Sequence, residues 1–179
     1  MTTGTYRPFP RPEETTITRD NVRLVPPIDR NQLEFLEIDQ DARQFARRLW
    51  CIIEPQLGQT LDEFYQHLRQ FGAGTLIPEA MVPRLKQKQH EHWKLLFNAD
   101  FDHSYSNSAR RVGIRHKEIE LDAQWFISGY MALKFRFTSM VIHSVATPSE
   151  KGHLLRTLDK YVAVDMGLVL STYLAGIVD

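Results

Sequence analysis

The chain is 179 residues long and contains a single cysteine, Cys51. A disulfide framework within the chain and a multi-cysteine zinc site are therefore excluded. No sign of charge predominates: 22 Lys and Arg stand against 22 Asp and Glu, so nothing signals a general attraction to nucleic acid or to an anionic membrane surface. No apolar run reaches bilayer length. The opening MTTGTYRPFPRPEETT lacks the basic-then-apolar profile of a secretory signal, and a cytoplasmic location is the expectation. Alternating strand patterns flanked by hairpin turns are missing, as are internal repeats.

The chemical motifs are thin as well. HExxH, paired ExxH and CxxC patterns do not occur, which removes zinc and di-iron carboxylate sites from consideration. GxSxG, GxxxxGKS/T and GxGxxG are absent too, so neither a serine nucleophile elbow nor a phosphate cradle is offered. Cys51, next to Trp50 in an apolar helix, is expected to be a buried, inert thiol. An independent enzyme is the weaker reading.

What the chain does have is helical periodicity. Residues 1–28, rich in Thr, Pro and Arg, read as a flexible arm, and residues 29–179 as one domain. Asp29 or Asn31 suits the cap of a short helix carrying Leu33, Phe35 and Leu36. Phe45, Leu49, Ile52 and Ile53 repeat at helical spacing, then Pro55 and Gly58 predict a kink or a boundary before a second stretch with Leu61, Phe64, Tyr65 and Leu68. FGAGT at 71–75 reads as a connection. Pro78 suits the first turn of a helix through Leu85, Gln89, His92, Trp93 and Leu96. A polar helix over 101–115 follows, then a long aromatic one over 121–145, and a last helix opened by Ser149 and Glu150. The fold class is all-α, with roughly seven or eight helices.

Seven histidines are candidate ligands. His90 and His92 lie two apart on one helix, so they face different ways and cannot grip one ion together. Most of the seven read as surface or boundary residues. His116 is set apart by its place, at a helix end just before the aromatic-rich start of the next helix.

Four segments resemble the globin domain of globin-coupled sensors, with sensor globins and protoglobins as relatives: LDEFYQHL at 61–68, RLKQKQHEHWKLLF at 84–97, RRVGIRHKEIELDAQWFISGYMAL at 110–133 and LDKYVAVDMGLVLSTY at 158–173. Their order and spacing carry the resemblance. It implies a globin fold with an extra N-terminal helix or arm, holding haem b, with His116 as the proximal iron ligand. A neutral imidazole whose other nitrogen donates to a carbonyl one turn earlier suits that role. Val112 and Ile114 would supply apolar walls.

On the opposite face Tyr65 matches the family's distal tyrosine, a phenol donor to bound dioxygen. Leu85 aligns with an apolar position over the haem. One turn on, where the family places Thr, Ser or Leu, this chain has Lys88, expected to reach for the haem propionates or solvent, and Gln89, a second candidate donor. Trp125 matches a family tryptophan, and Phe126 stands where tyrosine is frequent. Trp93 and Tyr130 complete the candidate pocket.

The resemblance further implies dioxygen, carbon monoxide and nitric oxide as ligands, and a homodimer through the last two helices. Leu133, Phe137, Met140, Val141, Leu158, Val162, Val169 and Tyr173 are apolar in excess of what a pocket needs. No nucleic-acid or membrane partner is expected. Family members continue into an output domain such as a diguanylate cyclase, histidine kinase or chemotaxis transducer. The expected function is that of a dioxygen sensor domain; the alternative is a single-domain haem protein that scavenges dioxygen or nitric oxide.

Overall fold

The computed structural model describes residues 28–174, so the arm expected before Ile28 lies outside them. Six α-helices and two 3-10 turns follow one another among the described residues, with no strand. Helix α1 is Arg30–Phe35, α2 Gln40–Leu68, α3 Val82–Phe97, α4 His103–Glu118, α5 Ala123–His143 and α6 Pro148–Leu174.

Aspartates start four of them. Asp29, Asp39, Asp102 and Asp122 each accept a hydrogen bond from a backbone N–H in the first turn of α1, α2, α4 and α5, at 3.0, 2.8, 2.9 and 2.7 Å. Each bond satisfies a donor that the helix itself leaves without a partner. At α6 Thr147 and Glu150 cap each other reciprocally. The Thr147 N–H donates to Glu150 Oε2 at 2.9 Å, and the Glu150 N–H donates to Thr147 Oγ1 at 3.3 Å.

Of the kink or boundary expected at Pro55, the boundary does not form: α2 runs through it for 29 residues. Proline inside a helix costs ~3 kcal/mol. Against that, Leu49, Ile53, Leu57 and Leu61 on one stripe are all fully buried, each contributing about 1.5–3 kcal/mol by leaving water. The stripe outweighs the break. Pro78 likewise precedes a 3-10 turn, Glu79–Met81, and α3 starts later, with Pro83 in its first turn. Gly74, in the 3-10 turn Gly72–Leu76, lets the chain fold back on the end of α2: a Cβ there would stand 2.3 Å from the Leu68 carbonyl oxygen.

Helix α2 crosses α3, α5 and α6, while α4 lies along α6 in the most extensive pairing of the molecule. Gly113 of α4 makes that approach possible, since a Cβ there would sit 1.9 Å from Thr172 Oγ1 and 2.6 Å from the Val169 carbonyl oxygen of α6. The core between the helices is aromatic, with Trp93, Phe97, Phe101, Tyr105, Phe137 and Tyr161 all buried. Trp93 meets Phe137 edge-on at 4.8 Å and stacks beside Phe97 at 6.0 Å.

An ionisable cluster lies within this core. Asp165 of α6, with 0% of its side chain exposed, accepts at Oδ2 from His92 Nε2 of α3 at 2.8 Å and from the Tyr130 hydroxyl of α5 at 2.6 Å. At Oδ1 it accepts from the Tyr105 hydroxyl of α4. His92, one of seven histidines of which most were expected at the surface or a boundary, keeps 13% of its side chain exposed and turns its Nε2 inwards to this carboxylate. Cys51 departs in the opposite sense: it is exposed on the outer side of α2, because Leu49, Trp50 and Ile53 define the inward face and residue 51 falls outside it.

The Asp165–His92 pair also fixes a pH dependence. Burial pushes the Asp165 pKa up, but the His92 charge and three hydrogen bonds outweigh it and hold the carboxyl below its ordinary value. Burial pushes His92 down, and the Asp165 charge and hydrogen bond reverse that, leaving its pKa raised. The Asp165 contribution is complete above the ordinary carboxylate range and disappears as pH falls through the lowered pKa. The His92 contribution is complete below the ordinary imidazole range and disappears as pH rises through the raised pKa. Asp165→Ala, which strands a largely enclosed histidine and two buried hydroxyls, is expected to lower unfolding stability by about 3–5 kcal/mol. Urea unfolding followed across pH should show the loss greatest between those two ranges and shrinking in acid.

Candidate ligand site around His116

Helix α4 delivers His116 in its last turn, where the ring is half-buried. Its Nδ1–H donates to the Val112 carbonyl one turn earlier, at 2.8 Å. With the proton on that nitrogen, the Nε2 lone pair is the one available to a ligand. Burial, helped by the nearby His92, outweighs the Val112 bond and lowers the His116 pKa, so the imidazole stays neutral at physiological pH. The ring lies edge-on to Phe126 at 5.2 Å.

The turn that follows is tightly tied. Glu120 adopts positive φ, 55°, and the Leu121 N–H donates to the His116 carbonyl at 3.0 Å while the Glu120 N–H donates to the Lys117 carbonyl at 2.9 Å. This is the pattern of a left-handed helix C-terminus, here without the usual glycine.

Tyr65 occupies the buried face at the end of α2. It receives a hydrogen bond at its hydroxyl oxygen from Gln89 Nε2 of α3, at 3.1 Å. Because the amide donates, the phenol proton remains available to a further acceptor. Burial pushes the Tyr65 pKa up to about 12, the Gln89 bond opposing it only partly, so the group is a neutral donor. Leu68, Arg69, Gly74, Ile77 and Val82 line a crevice beside it. The buried Oε1 of Gln89 meets no donor.

The other expected residues divide. Phe126 and Tyr130 are buried on α5 and touch at 5.7 Å, continuing the His116–Phe126 contact inwards. Trp93 meets Tyr130 edge-on at 5.1 Å, and Leu85 and Val112 are half-buried against the core. Ile114, by contrast, is 48% exposed and faces away from the core cluster. Trp125 is 40% exposed and leans on exposed Phe71 at 6.2 Å. Lys88 turns outwards, towards solvent, and pairs with Glu91 at 2.7 Å. Phe64 packs towards α5, its ring 3.5 Å from where a Gly129 Cβ would stand.

Sequence reasoning missed His92, Tyr105 and Asp165. A signal was present for Asp165, a lone acid on the stripe Leu158, Tyr161, Val162, Val169, all of which are buried. Nothing in the pattern pointed to its three donors, which come from three other helices.

The protoglobin family model matches residues 30–176. No curated protein sequence matches the chain. In structure it is similar to the globin domain of the Geobacter sulfurreducens globin-coupled sensor, at 16% identity and a TM-score of 0.74, covering 81% of this chain and 97% of that one. It is also similar to the globin domain of Escherichia coli DosC in its ferric form, at 17% identity and a TM-score of 0.68, covering 79% of this chain and 96% of that one. These likenesses bear out a globin fold, and the family match over most of its length makes the chain a member of the protoglobin family.

Proposed function

We propose that this domain binds haem b through His116 and senses dioxygen. The observation that carries the reading is the state of His116: a neutral imidazole at the end of α4 whose Nδ1–H is engaged by Val112. That bond orients the ring and raises the basicity of Nε2 towards iron. The residues present fit the group. Tyr65 and Gln89 provide donors on other helices, and the buried Gln89 Oε1 is a polar atom still without a protein partner. Apolar Phe71, Leu76, Met81, Ile119 and Trp125 are exposed on the segments around them, surface that a porphyrin would cover.

When bound, haem supplies a ferrous iron that takes dioxygen, carbon monoxide or nitric oxide. His116 would hold the iron from α4. The Tyr65 hydroxyl, positioned by Gln89, would be free to donate to a ligand on that side, and dioxygen, the more polar, would gain more from it than carbon monoxide. Phe126, Val112 and Leu85 keep water away. Phe126 stands where the family resemblance led us to look for a tyrosine, so no phenol from that position reaches the His116 helix.

The same reading includes a homodimer that carries the signal to an output domain such as a diguanylate cyclase. The residues first expected at its interface are mostly occupied elsewhere: Leu133, Phe137, Val141, Leu158, Val162 and Val169 are buried within one chain. A different stripe supports it. Phe135 and Ile142, two turns apart on α5, are 60% and 50% exposed, an arrangement suited to a second copy.

The absorption spectrum of the purified chain with haem available is the first test. A Soret band is expected, and in His116→Ala its position and ligation state should change; a band unaltered by that substitution removes His116 from the iron. Tyr65→Phe should speed dioxygen dissociation by about tenfold, the equivalent of one hydrogen bond, with carbon monoxide release altered less. Equal rates in stopped-flow measurements would exclude the distal role. Phe135→Glu should convert a dimer into a monomer in sedimentation velocity, and a wild-type monomer would dismiss the interface.

A further inference from the structure

The structure ties the helix that carries His116 directly to α6, at two places. Near the start of α4 the Tyr105 hydroxyl donates to the buried Asp165 carboxylate. Near its end Gly113 lies against Val169 and Thr172, so close that a Cβ would overlap Thr172 Oγ1. Thr172 is itself fixed, its hydroxyl donating to the Val169 carbonyl at 2.6 Å. Gly113 follows Val112, the residue whose carbonyl holds the His116 ring. The seam therefore begins one turn from the candidate iron ligand.

A second route runs through α5. His116 meets α5 at Phe126, a ring contact at 5.2 Å. Phe126 passes contact to Tyr130, and the Tyr130 hydroxyl ends on Asp165 as well. Both routes converge on the same carboxylate of α6. His92 of α3 closes the set from the fourth side, donating Nε2–H to Oδ2.

We infer that Tyr105 and Asp165, together with the Gly113–Thr172 seam, are positioning residues that make α4 and α6 move as one body, so that a displacement at His116 is delivered to α6 directly, beside the route through α5. The inference rests on the haem reading above. A packed seam is suited to this because close contacts shift between discrete arrangements and do not stretch. Asp165 adds direction: its three donors lie on three helices, and moving one of them alone would leave a buried charge short of a donor.

The test compares amide hydrogen exchange along α6 in the ferrous domain with and without carbon monoxide, after the absorption spectrum has shown that haem is bound. In the wild type, α6 amides in the 158–172 stretch should differ by about fivefold between the two states, the lower end of typical coupling between sites. In Tyr105→Phe, which removes one hydroxyl and leaves the buried ring, the difference should fall by at least half while the haem spectrum is retained. Thr172→Ala, which opens the seam beside Gly113, should act in the same direction and serves if Tyr105→Phe does not fold.

A role in packing alone would raise exchange equally in both states and leave the difference intact, and that result overturns the inference. So does a wild type whose α6 exchange ignores the ligand. A wild type without a haem spectrum refutes the ligand reading itself, and with it the inference, at a step recorded before any exchange is measured.

Discussion

A carboxylate shut away from water must be surrounded by donors, and Asp165 takes its three from three different helices. This constraint organises the inner half of the domain. His92, Tyr105 and Tyr130 belong to α3, α4 and α5, so the relative placement of four helices is fixed at one point. An apolar residue of similar size would lower the desolvation cost, and buried ion pairs are often no more stabilising than such replacements. What a carboxylate adds is exactness of register. A leucine tolerates a neighbour displaced by half an ångström, and a hydrogen-bonded anion does not.

Away from that point, the two candidate site groups stand near the ends of helices. His116 lies in the last turn of α4 and Tyr65 in the last turn of α2, with Gln89 in the middle of α3. Neither of the two principal groups needs an unusual backbone of its own. Each gains its properties from burial and one neighbour: Val112 keeps the His116 proton on Nδ1, and Gln89 leaves the Tyr65 proton free for use. The globin fold is shared with the globin domains of the Geobacter sensor and DosC at only 16 and 17% identity.

Much of this was legible in the sequence, for reasons that can be named. Helix starts were written in short polar side chains, although the residue that caps α6 is Thr147 and the proposed opening was Ser149. The order of four segments singled out Tyr65 and His116 as candidates. Pro55 misled because a local cost was set against no tertiary gain; the stripe it interrupts is worth more than the bond it removes. Cys51 misled because the residue beside it is buried, and on a helix a neighbour in sequence faces another way. The Asp165 cluster could not be found by pattern at all, since its partners lie 35, 60 and 73 residues away along the chain.

The turn after α4 has a consequence of its own. Helix ends ordinarily fray, and a ligand held in a last turn would then be held on a hinge that yields before it pushes. Here the His116 carbonyl is fastened by Leu121 and its ring by Val112, while Glu120 accepts a backbone conformation that glycine would enter more readily. The terminal turn is closed at both of its loose points. A force applied at the imidazole therefore meets a lever with a stiff tip, and little of its travel is lost in the final turn.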